Sequence, residues 1–241
     1  MFLWLDRRDY PQLKGLERDT NLASIEEDEM TSVRLMLVFM GCMLLGPMAD
    51  AQDRMTIEGH TLIFDTNAVW AATDDSPSII DSDANLFGDL LMNNPAVDTV
   101  VISGSGGSLY AAYEMARKLS QFDLTVIARN DCESGCSLIF MGGKIRKLEK
   151  GARLGFHRSA TDAQSQRENY ATLKESLGWA DEFAYVRWAY EDGQIVAREY
   201  IEYLMQRGIK PEFALRVMAY STQDMWYPTE KEMREAGVLT E

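Results

Sequence analysis

The sequence predicts an α/β fold on a mostly parallel sheet, and three observations predict it. Asp98-Thr-Val-Val-Ile-Ser103 and Leu124-Thr-Val-Ile-Ala128 are short β-branched runs of the kind buried on both faces of a parallel sheet. Between them, Ser108 to Ser120 places Leu109, Ala112, Met115, Ala116 and Leu119 on one helical face. Strand, helix and strand at this spacing form a βαβ unit whose crossover is right-handed.

The other elements follow in order. Residues 61–66 (Thr-Leu-Ile-Phe-Asp-Thr) read as a strand. Ser78 to Asn93 reads as a helix, with Ile79, Ile80, Leu86, Leu90 and Leu91 at helical spacing and Asn94-Pro95 as its stop. Leu138-Ile-Phe-Met141 opens a short apolar helix closed by Gly142-Gly143. Arg146 to Leu154 contains a weak strand, and Gly155-Phe156-His157 reads as a strand end. From Thr161 the chain is expected to be helical and amphipathic for nearly fifty residues, with Trp179, Phe183, Val186, Trp188, Tyr190, Ile195, Tyr200, Tyr203 and Leu204 as apolar anchors. This aromatic arm exceeds what one surface helix needs and reads as core or as a subunit contact. A helix from Pro211 to Ala219, a strand-like Met225-Trp-Tyr and a helix from Thr229 to Ala236, ended by Gly237, complete the chain.

Composition bounds the function. The 241 residues are 46% hydrophobic and 26% charged, enough to bury a core. The net charge is −14, of which eight acids against four bases in residues 1–29 contribute −4. Such a surface repels phosphate backbones, so nucleic acid is not an expected partner.

Residues 30–51 read as a signal peptide. Arg34 precedes an apolar run from Leu35 to Leu45, then the breaker Gly46-Pro47 and a small-x-small site, Ala49-Asp50-Ala51, with cleavage after Ala51. The run is shorter than the roughly 20 residues of a membrane span, so membrane attachment is expected only if the signal is uncleaved. Cys42 lacks the lead-in of a lipoprotein site. Residues 1–29 then read as a mis-called or disordered extension, with Met30 as initiator, and residues 52–241 as the mature domain. The expected location is the periplasm or the exterior.

Two turns carry the chemistry. Ser103-Gly104-Ser105-Gly106-Gly107-Ser108 follows a strand, and Cys132-Glu133-Ser134-Gly135-Cys136-Ser137 precedes an apolar helix. A Gly-rich turn frees backbone N–H groups for an anion, and a serine at a helix start lies in the helix's positive field. Together they suggest an oxyanion hole facing a serine. His157, one of two histidines in the chain, is the general base to match it; His60, in a turn before a strand, reads as a surface residue. Ser137 is the expected nucleophile, although a serine there is also an ordinary N-cap. Ser134 is the second candidate and Cys136 the third. Cys132 and Cys136 form an even pair in the mature chain and are expected to bridge in an oxidising compartment. No neighbouring His or second Cys pair completes a metal site, and no cofactor is expected.

Four blocks in order resemble a known superfamily: Val101-Ile-Ser-Gly-Ser-Gly-Gly-Ser-Leu-Tyr-Ala-Ala112, Cys132 to Gly143, Gly155-Phe-His157, and Trp226-Tyr-Pro-Thr-Glu-Lys-Glu-Met-Arg-Glu-Ala-Gly-Val238. They are similar to the Clp protease proteolytic subunit and signal peptide peptidase A, and more narrowly to secreted ClpP-like proteins of Gram-negative bacteria. The resemblance covers about 60–238. It implies a crotonase-like ββα superhelix, a ring or stacked homo-oligomer, oxyanion donors at Gly106 and Leu138, the nucleophile at Ser137 and the base at His157. The family's acid falls near Tyr220-Ser221, where no carboxylate stands, which leaves Asp224 as the expected third member; Asp162 and Glu168 in the arm are poorer candidates. No Walker motif accompanies these blocks, so the expected activity is ATP-independent hydrolysis of peptides or unfolded chains. A catalytically quiet scaffold with the same fold is the alternative.

Overall fold

The computed structural model describes residues 54–68 and 78–241; the signal peptide, its cleavage site, Cys42 and the 1–29 extension lie outside them. A six-stranded sheet organises the body. Its strands are β1 (Met55–Glu58), β2 (Thr61–Asp65), β3 (Thr99–Gly104), β4 (Thr125–Glu133), β5 (Ile145–Leu148) and β6 (Arg153–Gly155). They are ordered β1-β2-β3-β4-β5, with β6 also on β4. The first pair is an antiparallel hairpin turned at Gly59-His60, and every other pairing is parallel. The fold is thus mixed α/β, as the β-branched runs predict. Strand β1 had no counterpart in the sequence reading because Met-Thr-Ile-Glu is too short and too polar to signal by itself.

Strand β4 bends, and the bend matters for the site. Its partner β3 advances from Ile102 to Gly104 while β4 advances from Ala128 to Cys132, and Asn130 at φ 53 absorbs the extra length in the left-handed region that Asn tolerates. Before the bend β4 pairs with β5; after it, β4 pairs with β6.

The helices of the body are α1 (Asp81–Asn93), α2 (Leu109–Phe122), α3 (Gly135–Phe140), the C-terminal part of α5 (Glu182–Gln206), α6 (Pro211–Val217) and α7 (Glu230–Ala236). Helix α2 buries Ala111, Ala112, Met115, Ala116 and Leu119. Its small residues let α3 come close: a Cβ on Gly135 would lie 3.4 Å from that of Ala112, and one on Gly142 2.5 Å from the carbonyl of Ala116. Helix α7 carries a Thr229/Glu232 capping box and ends at Gly237, φ 83.

Two arginines fasten the turn after α3, and Arg146 also fastens the C-terminal residues. Buried Arg146 donates to the carbonyls of Gly143, Arg207, Gly237 and Val238, and Arg207 to those of Met141, Gly142 and Gly143. Burial, reinforced by the Arg207 charge, pulls the Arg146 guanidinium down to about 10, so it stays charged at neutral pH.

Residues 161–190 form a separate unit. Helix α4 (Ala163–Leu173) and the first turns of α5 are separated by a turn with Gly178 at φ 69, so the expected continuous helical arm is two helices. Tyr170, Trp179, Tyr185 and Trp188 pack ring on ring, with centroids from 4.8 to 6.4 Å apart. Phe183, Val186 and Tyr190 are exposed. No helix among the described residues is long and apolar enough to cross a membrane.

Candidate active site

The site lies where β3, β4 and β6 end, the side of a parallel sheet on which ligands bind. The register pairs Glu133 with Gly155, and the Ser134 N–H extends that pairing by donating to the Gly155 carbonyl at 2.9 Å. Ser134, one residue past β4, therefore meets His157, two residues past β6. His157 is steadied from behind, since Phe156 and Trp226 exchange backbone hydrogen bonds, both at 2.9 Å.

Ser134 Oγ lies 2.7 Å from His157 Nε2. The other ring nitrogen, Nδ1, is 2.6 Å from the carbonyl oxygen of Arg158. A carbonyl can only accept, so Nδ1 carries the proton and Nε2 presents its lone pair to the serine hydroxyl. That is the tautomer a general base needs.

The backbone of Ser134 is held at φ 53, ψ −119, a region costly for a residue with a side chain and found where surrounding structure enforces it. Four contacts do so. Cys132 and Cys136 are joined in a disulfide with Cα atoms 5.2 Å apart, closing a five-residue loop with Ser134 at its centre. The Ser134 carbonyl accepts from Leu138 N at 3.1 Å and from Ser137 Oγ at 2.7 Å. Gly106, φ 96, is pressed so close that a Cβ there would stand 2.7 Å from both Ser134 Cβ and Gly135 N.

Several expected site residues are placed differently. Ser137 is fully buried, and its hydroxyl is committed to the Ser134 carbonyl, so it does not face His157. The helix begins at Gly135 rather than after Ser137; Leu138 N–H is consequently its first intrahelical donor and is spent on Ser134 rather than open to an oxyanion. Gly106 lies behind the turn, and its carbonyl accepts from Ile79 N at 2.6 Å. The glycine that reaches the cleft is its neighbour, Gly107. The cleft is lined by Gly107, Ser134, Gly135 and His157 together with Leu109, Leu138 and Tyr200. Gly107 N stands 3.4 Å from where a Gly135 Cβ would be, so the two glycine amides are neighbours. Neither donates a hydrogen bond to another described residue. Cys136 is in the disulfide and is not a free thiol.

Asp224 does not reach His157. Its carboxylate accepts from Ser221 Oγ at 3.2 Å. Asp162 caps α4 through Gln164 N, Ser165 N and Ser165 Oγ, which holds its carboxyl below the usual range, and Glu168 accepts from Gln164. Tyr220, near the register where the resemblance places an acid, offers its carbonyl to Arg158 N at 3.0 Å and stacks its ring on Trp226. Among the described residues the His157 partners are thus a serine and a carbonyl, without a carboxylate.

Glu133, beside Ser134, accepts from the Tyr227 hydroxyl, and Arg153 stacks over that ring at 4.4 Å. Partial burial and the Glu133 contact push Tyr227 up to about 12. The described residues contain no group of three His, Cys, Asp or Glu able to hold a metal.

Comparison with known proteins is sparse. No family model and no curated protein matches the chain. Among solved structures, it is similar to a point mutant of ClpP1 from Listeria monocytogenes at 15% identity, over 67% of this chain and 84% of that one, with a TM-score of 0.45.

The sequence pointed to this turn and put Ser137 before Ser134, whereas the structure sets Ser134 and not Ser137 against His157. A usable signal for the position of the turn was the Gly immediately after Ser134, which marks the strand-to-helix turn.

Proposed function

We propose that the chain is a serine hydrolase acting by acyl transfer, with Ser134 as nucleophile and His157 as general base. The observation that carries this reading is the 2.7 Å contact between Ser134 Oγ and His157 Nε2 at a strained strand-to-helix turn. Ser134 Oγ attacks a carbonyl carbon and its proton passes to Nε2. The developing oxyanion takes hydrogen bonds from the amides of Gly107 and Gly135. His157 then returns the proton to the leaving group, and water, deprotonated by the same nitrogen, releases the acyl group and regenerates Ser134. The Arg158 carbonyl keeps the imidazole in its working tautomer but offers the imidazolium less charge stabilisation than a carboxylate, so the site works as a dyad.

Peptides or unfolded chains are the proposed substrates, cleaved without ATP. The finer fold assignment, a ClpP-like crotonase superhelix, and a homo-oligomer belong to the same proposal. Assembly through the arm is supported by the exposed stripe of Phe183, Val186 and Tyr190 at helical spacing. Export is supported by the Cys132–Cys136 disulfide, a bond that persists in oxidising compartments.

A fluorophosphonate probe tests the activity. Residues 52–241 are expected to be labelled, and Ser134→Ala to lose the label while remaining folded. A wild-type protein that is folded, disulfide-bonded and unlabelled would leave the scaffold reading in its place.

A further inference from the structure

Tyr200 of α5 lines the same cleft as Ser134 and His157. Only 5% of it is exposed. Burial, with the neighbouring Tyr203, pushes its phenol up, so the group remains an O–H donor at neutral pH. Tyr203, three residues on, is different: its hydroxyl donates to the Leu138 carbonyl at 3.3 Å. Tyr200 lines the cleft, and its hydroxyl is not among the buried polar atoms left without a partner, so it is open to the cleft for a substrate acceptor. Leu109, Leu138 and Ala160 give the cleft an uncharged apolar wall, and Ser159 is the other hydroxyl that lines it besides Ser134.

Resting on the hydrolase reading, we infer that Tyr200 is a specificity-determining hydrogen-bond donor, and that the acyl part of the substrate carries a neutral acceptor beside an apolar group. An N-acylated amino-acid residue has this chemistry; a plain alkanoyl chain does not. Sites built to hydrogen-bond a substrate group reject analogues lacking it more sharply than apolar pockets reject a missing methylene.

Two p-nitrophenyl esters of equal length test this: one of N-acetylalanine, the other of the alkanoate in which methylenes replace the amide. With Tyr200→Phe, kcat/KM for the amide-bearing ester is expected to fall about tenfold, the worth of one hydrogen bond at the upper end of the usual range. The alkanoate rate and the melting temperature should stay as in wild type. An unchanged ratio of the two esters overturns the role of Tyr200 and leaves the hydrolase reading standing. A Tyr200→Phe protein that unfolds also overturns it, because the hydroxyl would then be holding the fold. If the wild type hydrolyses neither ester and Ser134 takes no fluorophosphonate, the hydrolase reading fails and this inference with it.

Discussion

Cys132 and Cys136 are bonded to each other across Ser134, which stands midway between them at φ 53. The disulfide joins the end of β4 to the first turn of α3 and so bridges the turn whose geometry sets the serine against His157. A five-residue loop contributes about 2 kcal/mol by chain entropy. Replacing both cysteines by alanine is expected to lower the unfolding free energy by about that amount in urea titrations. It should also slow fluorophosphonate labelling by more than the stability loss accounts for, because the strained turn relaxes. Labelling at the wild-type rate in a destabilised protein would make the bridge a fold staple only.

Asp224 is expected to be dispensable for chemistry. Its carboxylate serves Ser221, and His157 Nδ1 is occupied by the Arg158 carbonyl. Asp224→Asn should leave ester turnover within about twofold of wild type, whereas an amide in place of a true triad acid costs about 10⁴ in turnover. A loss of that size would mean that the carboxylate swings onto the imidazole during the reaction.

Much of this was legible from residue patterns. The strands β3 and β4 with helix α2 between them announce themselves through β-branched runs and a helical apolar stripe, and the pairing of Cys132 with Cys136 through their spacing. The different placement of Ser137 has a physical origin: the apolar run Leu138 to Met141 marks the buried part of α3, but the helix starts three residues earlier, at Gly135. The start is fixed by Ser134 accepting the first helical bond from Leu138, a matter of backbone geometry that no side-chain pattern reports. Asp224 is placed away from His157 for a related reason. Asp224 is close in sequence to Trp226, which bridges Phe156 beside His157, but nearness along the chain does not set where a carboxylate points. The fastening of the C-terminus by Arg146 left no sequence signal, because its acceptors are carbonyls.

Arg146 is expected to be essential to stability. It donates to four carbonyls from a buried position, and its removal leaves those acceptors unsatisfied. Arg146→Met should destabilise by about 3 kcal/mol or more, read as a shifted urea midpoint. Ser134 reactivity measured under conditions where the variant remains folded should change little. A midpoint shift below about 1 kcal/mol would show that water takes over the carbonyls.

The placement of the nucleophile is tested most directly by mapping the fluorophosphonate adduct. Digestion of labelled wild-type protein and tandem mass spectrometry of the disulfide-linked peptide containing Cys132 to Cys136 should find the phosphonyl group on Ser134, with Ser137→Ala still labelled and His157→Ala not. An adduct on Ser137, or labelling that survives in Ser134→Ala, would contradict the account.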